Sequence, residues 1–255
     1  MISHFNIKIF DKDSNNITLN NYIKDVSIEK YQKFYKEDFD EKFIEEQRKR
    51  IKYNYELNMK YFNSLDKFKF DKYICEFMKK NRFMEVYDLT KYKGISGIYI
   101  MVLDKYKQVY IGLSELGIKE RIQQHWNAKK EPYKLIWGQA FNSIISIDSF
   151  GALDTTRIFV RTDGNLYKLE NQLIDKFDKK YLLNRTMGGI GNVCTYTNDK
   201  NSALLSALAN MEKRDFTAFI SEKELYEKCN DYDIMMYENS KKDKLYFESE
   251  GNTLE

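Results

Sequence analysis

Proline is almost absent from this chain, with one residue in 255. Two histidines, two tryptophans and three cysteines complete the list of scarce side chains. Cys75, Cys194 and Cys229 lie far apart, form no CxxC pair and are odd in number, which excludes a disulfide framework and a cysteine-based zinc site. They read as reduced thiols, and the expected location is cytoplasmic. No apolar run is long enough to span a bilayer, and Met1-Ile2-Ser3-His4-Phe5 lacks the basic start and apolar stretch of a secretory signal, so no membrane partner is expected. Repeats and low-complexity segments are also lacking. The surplus of Lys, Asn, Ile and Tyr reads as mutational bias of a low-GC genome.

What is present is an ordinary globular balance, with 42% hydrophobic and 32% charged residues. Net charge is only +3. Its distribution is uneven. Residues 91–200 hold 17 Lys+Arg against 11 Asp+Glu, while residues 201–255 hold 7 against 12. A basic middle attracts phosphates; ordinary surface variation would give the same asymmetry.

Periodicity divides the chain. Phe5–Phe10 reads as a short strand and residues 28–90 as helical. Ile44, Ile51, Tyr55, Met59 and Phe62 form an apolar stripe, with Glu45, Arg48, Lys49 and Lys52 opposite. That helix either packs on its own domain, the favoured reading, or lies on DNA or a partner. From residue 95 the pattern changes. Ile95–Leu103 and Gln108–Gly112 make a hairpin about Asp104–Lys107. Gly117–Ala128 is helical, Thr155–Arg161 a strand, Leu166–Phe177 a helix, and Met187–Asn192 a glycine-rich loop. Ala203–Met211 and Glu222–Cys229 suggest two further helices.

Chemistry-bearing residues punctuate this middle segment. Gly97-Ile98-Tyr99 lies in one hairpin strand and Tyr110-Ile111-Gly112 in the other, with Ser114 following. Arg121 and His125 are four apart and share a helix face. Glu170 lies on a later helix and Asn184 just beyond it. The order Tyr99, Tyr110, Arg121, His125, Glu170, Asn184 resembles the GIY-YIG nuclease superfamily over roughly residues 93–192, with both tripeptides unaltered. The resemblance implies an α+β fold with a small antiparallel or mixed three-stranded sheet flanked by helices. It divides the chain into a mainly helical N-terminal extension (1–92), a catalytic domain (93–192) and an acidic helical C-terminal extension (193–255).

The resemblance also implies a metal role for Glu170 and catalytic roles for Tyr99 and Arg121. The residue types suit phosphodiester hydrolysis, which needs an activated water and stabilised phosphoryl charge. One carboxylate can hold Mg²⁺ or Mn²⁺ if waters and phosphate complete the shell. Arg121 offers a planar fork of donors to the phosphate. Tyr99 can take the water proton, and His125 can relay it or bind phosphate. Tyr110 can bond the phosphate or position the water. Asn184 can orient Glu170 or brace its loop. Taken singly, each of these residues is as readily structural.

Softer candidates for nucleic-acid contact are Ser114, Lys129, Lys130, Arg157 and Arg161. The two lysines equally suit a helix C-terminus, and the two arginines equally suit a surface role. The stretch from His125 to Glu170 is long for such a module; its Phe141–Phe150 run carries either substrate contacts or packing. The expected function is a metal-dependent DNA endonuclease of the restriction, defence or mobile-element kind. Repair or structure-specific cutting, an RNA substrate, and a non-catalytic binding module stay open. A homodimer would let single-strand cuts become a double-strand break.

Overall fold

The computed structural model describes residues 1–10, 16–23, 40–128, 135–136, 139–185, 220–239 and 241. Lys129, Lys130, Trp137, the Met187–Asn192 loop and the Ala203–Met211 helix expectation lie outside the described residues.

The N-terminal strand is in fact a hairpin, β1 (Ile2–His4) and β2 (Ile7–Ile9). Phe5 and Asn6 turn it with φ of 48° and 62°. Two successive left-handed residues match the twist of a tight hairpin. A short helix, α1 (Leu19–Ile23), precedes the segment expected to be helical, whose described part holds α2 (Glu41–Ser64) and α3 (Lys67–Lys80). Asp40 and Asp66 cap α2 and α3 by accepting from the amides of Phe43 and Lys69, which satisfies donors the first helical turn leaves open. Helix α2 packs on its own chain: Ile44, Ile51 and Phe62 are buried, Tyr55 and Met59 lean on the core, and Glu45, Arg48, Lys49 and Lys52 are exposed.

Beyond α3 the expected helix gives way to a short strand, β3 (Met84–Val86). The hairpin follows as β4 (Gly97–Leu103) and β5 (Gln108–Ser114), then α4 (Ile118–Trp126), β6 (Arg157–Arg161) and α5 (Leu166–Lys176). The protein is α+β. Its main sheet has four strands, not three, in the order β3-β6-β4-β5, all antiparallel. The added strand comes from before residue 92, so the sheet draws on both sides of that expected boundary. The C-terminal region adds α6 (Glu222–Lys228) and a helical stretch over 231–239.

Alternation along the strands sorts side chains onto two faces. Tyr99, Met101 and Leu103 of β4 join Ile158 and Val160 of β6 on one face, in one core with residues of α2 and α4. Ile98, Ile100 and Val102 join Val109, Ile111 and Phe159 on the other, covered by α3 and α5.

The Phe141–Phe150 stretch packs inward, with Phe141, Ile144, Ile145, Ile147 and Phe150 buried. It contains no strand or α-helix to satisfy its backbone, so buried side chains do so. Asn54 donates to the carbonyls of Ala140 and Ser143 at 2.8 and 2.7 Å. Asn58 donates to Ser143 O at 2.8 Å and accepts from the Ile145 amide at 3.3 Å. Asp233, fully buried, accepts from the Ala140 amide and from Arg50. Packing thus accounts for the buried residues of this stretch, and α2 is their anchor. No described helix is long and apolar enough to cross a membrane.

Candidate active site

Tyr99 and Tyr110 project from adjacent strands on the same face, one residue pair apart, because Tyr99 pairs with Gly112 and Met101 with Tyr110. Their ring centroids lie 6.3 Å apart. The motif glycines have a steric reason. A Cβ on Gly112 would come within 2.4 Å of the Tyr99 hydroxyl, and one on Gly97 within 2.8 Å of the Arg161 carbonyl. Gly112 is the hollow in which the Tyr99 phenol sits.

Helix α4 lies against these rings. Ile118, Ile122 and Trp126 anchor it in the core, and this directs His125 inward, only 4% exposed. The Tyr99 hydroxyl is 2.8 Å from His125 Nε2. His125 Nδ1 is 2.6 Å from Asp148 Oδ1. The His125 ring packs edge-on to Tyr110 at 5.0 Å. One turn earlier, Arg121 lies on the solvent side of α4, where its Nη1 donates to Gln124 at 3.0 Å. Its charge acts on both tyrosines. Burial opposes that charge, but the two phenols and Asp148 outweigh it and raise the guanidinium's pKa.

Glu170 sits on α5, which covers the opposite face, yet it reaches the site around the edge of β5. Val109, Ile111 and Leu113 turn their backbone groups outward along that edge. The Leu183 amide donates to Val109 O at 2.8 Å. Asn184 accepts from the Ile111 amide at 3.0 Å and donates to its carbonyl at 2.8 Å. The Leu113 amide donates to the Glu170 carboxylate. Asn184 therefore closes the edge of the second motif strand; its amide is spent on Ile111 and does not orient Glu170. Glu170 is 8% exposed. Burial raises its pKa, and the Leu113 amide and the Arg121 charge offset part of that rise.

Burial also raises the Tyr99 pKa well above the ordinary phenol value; Tyr110 adds to the rise and Arg121 opposes it. Tyr110 is pushed up to about 12 by burial, against the pull of Arg121. A free Tyr99 phenolate is thus disfavoured, and a hydroxyl that hands on its proton as it receives another is the usable form.

The structure brings together Tyr99, Tyr110, Arg121, His125 and Glu170. It does not bring in the two candidate arginines of β6. Arg157 and Arg161 share the face of Phe159, opposite Tyr99. Arg157 pairs with Asp104 and Asp71, and Arg161 with Asp163. Ser114 is 7% exposed, and its hydroxyl exchanges hydrogen bonds with the Gly117 backbone at 2.7 and 3.1 Å, holding the entry to α4.

No protein-family model, curated protein or solved structure matches this chain. The geometry therefore carries the reading. Among the described residues no group of three or more His, Cys, Asp and Glu can cage a metal. Glu170 offers a buried carboxylate anchored by the Leu113 amide and within reach of the Arg121 charge. That donor set suits a largely hydrated Mg²⁺ or Mn²⁺ completed by substrate oxygens, not a closed zinc or calcium site.

No sequence pattern marks Asp148 as a site residue. A lone carboxylate within the apolar run Ile144–Phe150 was the available signal, since an acidic residue in a packed stretch needs a partner.

Proposed function

We propose that this chain is a metal-dependent endonuclease of the GIY-YIG type that hydrolyses phosphodiester bonds in DNA. The observation that carries the reading is the meeting of the Tyr99–His125 hydrogen bond with Arg121 and Glu170 at one end of the β4–β5 hairpin. These residues follow the order of the GIY-YIG superfamily.

In this reading Arg121 receives the scissile phosphate, its planar donors bridging two phosphoryl oxygens. Glu170 would hold a divalent ion, which when bound would neutralise phosphoryl charge and make water more acidic. The attacking water gives its proton to the Tyr99 oxygen while Tyr99 passes its own to His125 Nε2. No charged phenolate accumulates, which suits a phenol whose ionisation burial opposes. Tyr110 hydrogen-bonds the phosphate or the water. Water adds to phosphorus, the phosphorus–oxygen bond to the leaving sugar breaks, and that oxygen takes a proton. One such centre cuts one strand, so a double-strand break needs two copies or two events. Restriction, defence or mobile-element cutting is the proposed setting.

The test is cleavage of supercoiled plasmid, single-stranded DNA and RNA by the purified chain in Mg²⁺, Mn²⁺ or EDTA. Metal-dependent nicking of plasmid that vanishes in Glu170→Ala supports the reading. Binding without cutting in any metal contradicts it and favours a nucleic-acid-binding module. Cutting confined to RNA overturns the substrate.

A further inference from the structure

Resting on the nuclease reading, we propose that Asp148 is a positioning residue that holds His125 in the Nδ1–H tautomer, leaving Nε2 bare to receive the Tyr99 proton. A carboxylate only accepts hydrogen bonds, so at 2.6 Å from Asp148 the proton belongs to Nδ1. A neutral imidazole carries one ring proton, so Nε2 must be the acceptor at 2.8 Å from the Tyr99 hydroxyl. Three segments far apart in sequence thus form one line: Asp148 in the turn Ile147–Ser149, His125 on α4, and Tyr99 on β4.

The turn is rigidly held. Ile147 and Ser149 flank Asp148 and are buried, and Asn58 fixes the preceding segment at the Ile145 amide. Asp148 itself is partly exposed, at 38%, so its carboxylate can stay charged. The other groups facing the ring are Tyr110 from β5 and Arg121 from the same helix, and Arg185 acts on Asp148 from behind. The two arginines carry only donors, Tyr110 meets the ring edge-on, and Nδ1 points at Asp148.

During the step the water proton moves to Tyr99, the Tyr99 proton moves to Nε2, and Nδ1–H stays on the ring. The imidazolium that forms lies against the Asp148 charge, and its Nε2 proton is later released to the leaving oxygen or to solvent. Asp148→Asn replaces a group that can only accept at Nδ1 with one that can also donate there, which frees the ring proton to move to Nε2 and removes the acceptor for Tyr99.

The experiment is a ¹⁵N spectrum of the histidine rings combined with cleavage kinetics. The chain has only two histidines, His4 and His125, and His125→Gln assigns them. The wild type should show Nδ1 protonated and Nε2 bare at His125. Asp148→Asn should show the reverse, with kcat for plasmid nicking down on the order of 10⁴-fold, as expected for a wrong tautomer, and KM for DNA unchanged. Asp148→Glu should recover the wild-type tautomer and much of the rate. An unchanged tautomer or unchanged kcat in a folded Asp148→Asn overturns the proposal. If the wild type cuts nothing, the nuclease reading fails, while the tautomer in Asp148→Asn still decides whether Asp148 sets the state of His125.

Discussion

The two faces of the main sheet are built from the same strands and differ by a single residue of register. On one face Ile98, Ile100, Val102, Val109, Ile111 and Phe159 meet α3 and α5 through apolar contacts. On the other, Tyr99 and Tyr110 stand beside His125, with Asp148 behind and Arg121 above. The first face stabilises by burial. The second gives up some of that stabilisation by burying polar groups that must find partners, and gains the hydrogen-bonded line Tyr99–His125–Asp148. Period-two alternation thus lets neighbouring residues carry stability and chemistry independently.

The contrast is sharpest between arginines. Arg121→Ala should cut the nicking rate by roughly 10³-fold or more, as loss of a charge clamp does, with the circular dichroism spectrum unchanged. Arg157→Ala, on the other face and partly exposed, should cost under about 1 kcal/mol and leave nicking intact. Chemical denaturation and initial rates on the same preparations check both. Equal rates in the two variants would erase the distinction between faces.

A smaller effect is expected where one face is disturbed without removing a functional group. Gly112→Ala pushes a Cβ into the space of the Tyr99 hydroxyl. Misplacing that group by about an ångström should lower kcat on the order of 10²-fold. Loss of KM alone would point to a binding role for Tyr99.

The smallest effect concerns the stability given up at Glu170. Burial raises its carboxyl pKa above the ordinary 4.5. A raised carboxyl pKa favours the protonated folded state, so its stabilisation is full at acid pH and fades as pH rises through the folded value. At pH 7 the buried charge is a burden, and Glu170→Gln should raise Tm by about 2–4 °C, equivalent to ~1 kcal/mol. The gain should vanish at acid pH. Mg²⁺ should raise Tm in the wild type and not in the variant.

Much of this arrangement is readable in the chain itself. The β4–β5 hairpin, α4, β6 and α5 follow from strong period-two and helical patterns, and the four-residue spacing of Arg121 and His125 puts them on one helix flank. Other parts are not readable because no local pattern encodes them. Phe5 and Asn6 adopt left-handed turn geometry without glycine. β3 is three residues long, with Met84 and Glu85 exposed, so it shows no alternation and exists through its pairing with β6. The even spacing of Arg157, Phe159 and Arg161 puts them on one face, but which face depends on pairing with β4. Asp148 lies in an aperiodic stretch whose path is set by Asn54 and Asn58, some ninety residues earlier in the sequence.

Tyr99 and Ile100 are chain neighbours on opposite faces, and comparing them tests the account most directly. Tyr99→Phe and Ile100→Val each remove a small group, and both Tm and the plasmid nicking rate are measured. The account predicts that Tyr99→Phe lowers kcat by about 10²–10⁴-fold with little change in Tm, while Ile100→Val costs about 0.5–1.5 kcal/mol and cuts normally. Normal cutting by Tyr99→Phe, with the rate lost instead in Ile100→Val, would contradict it.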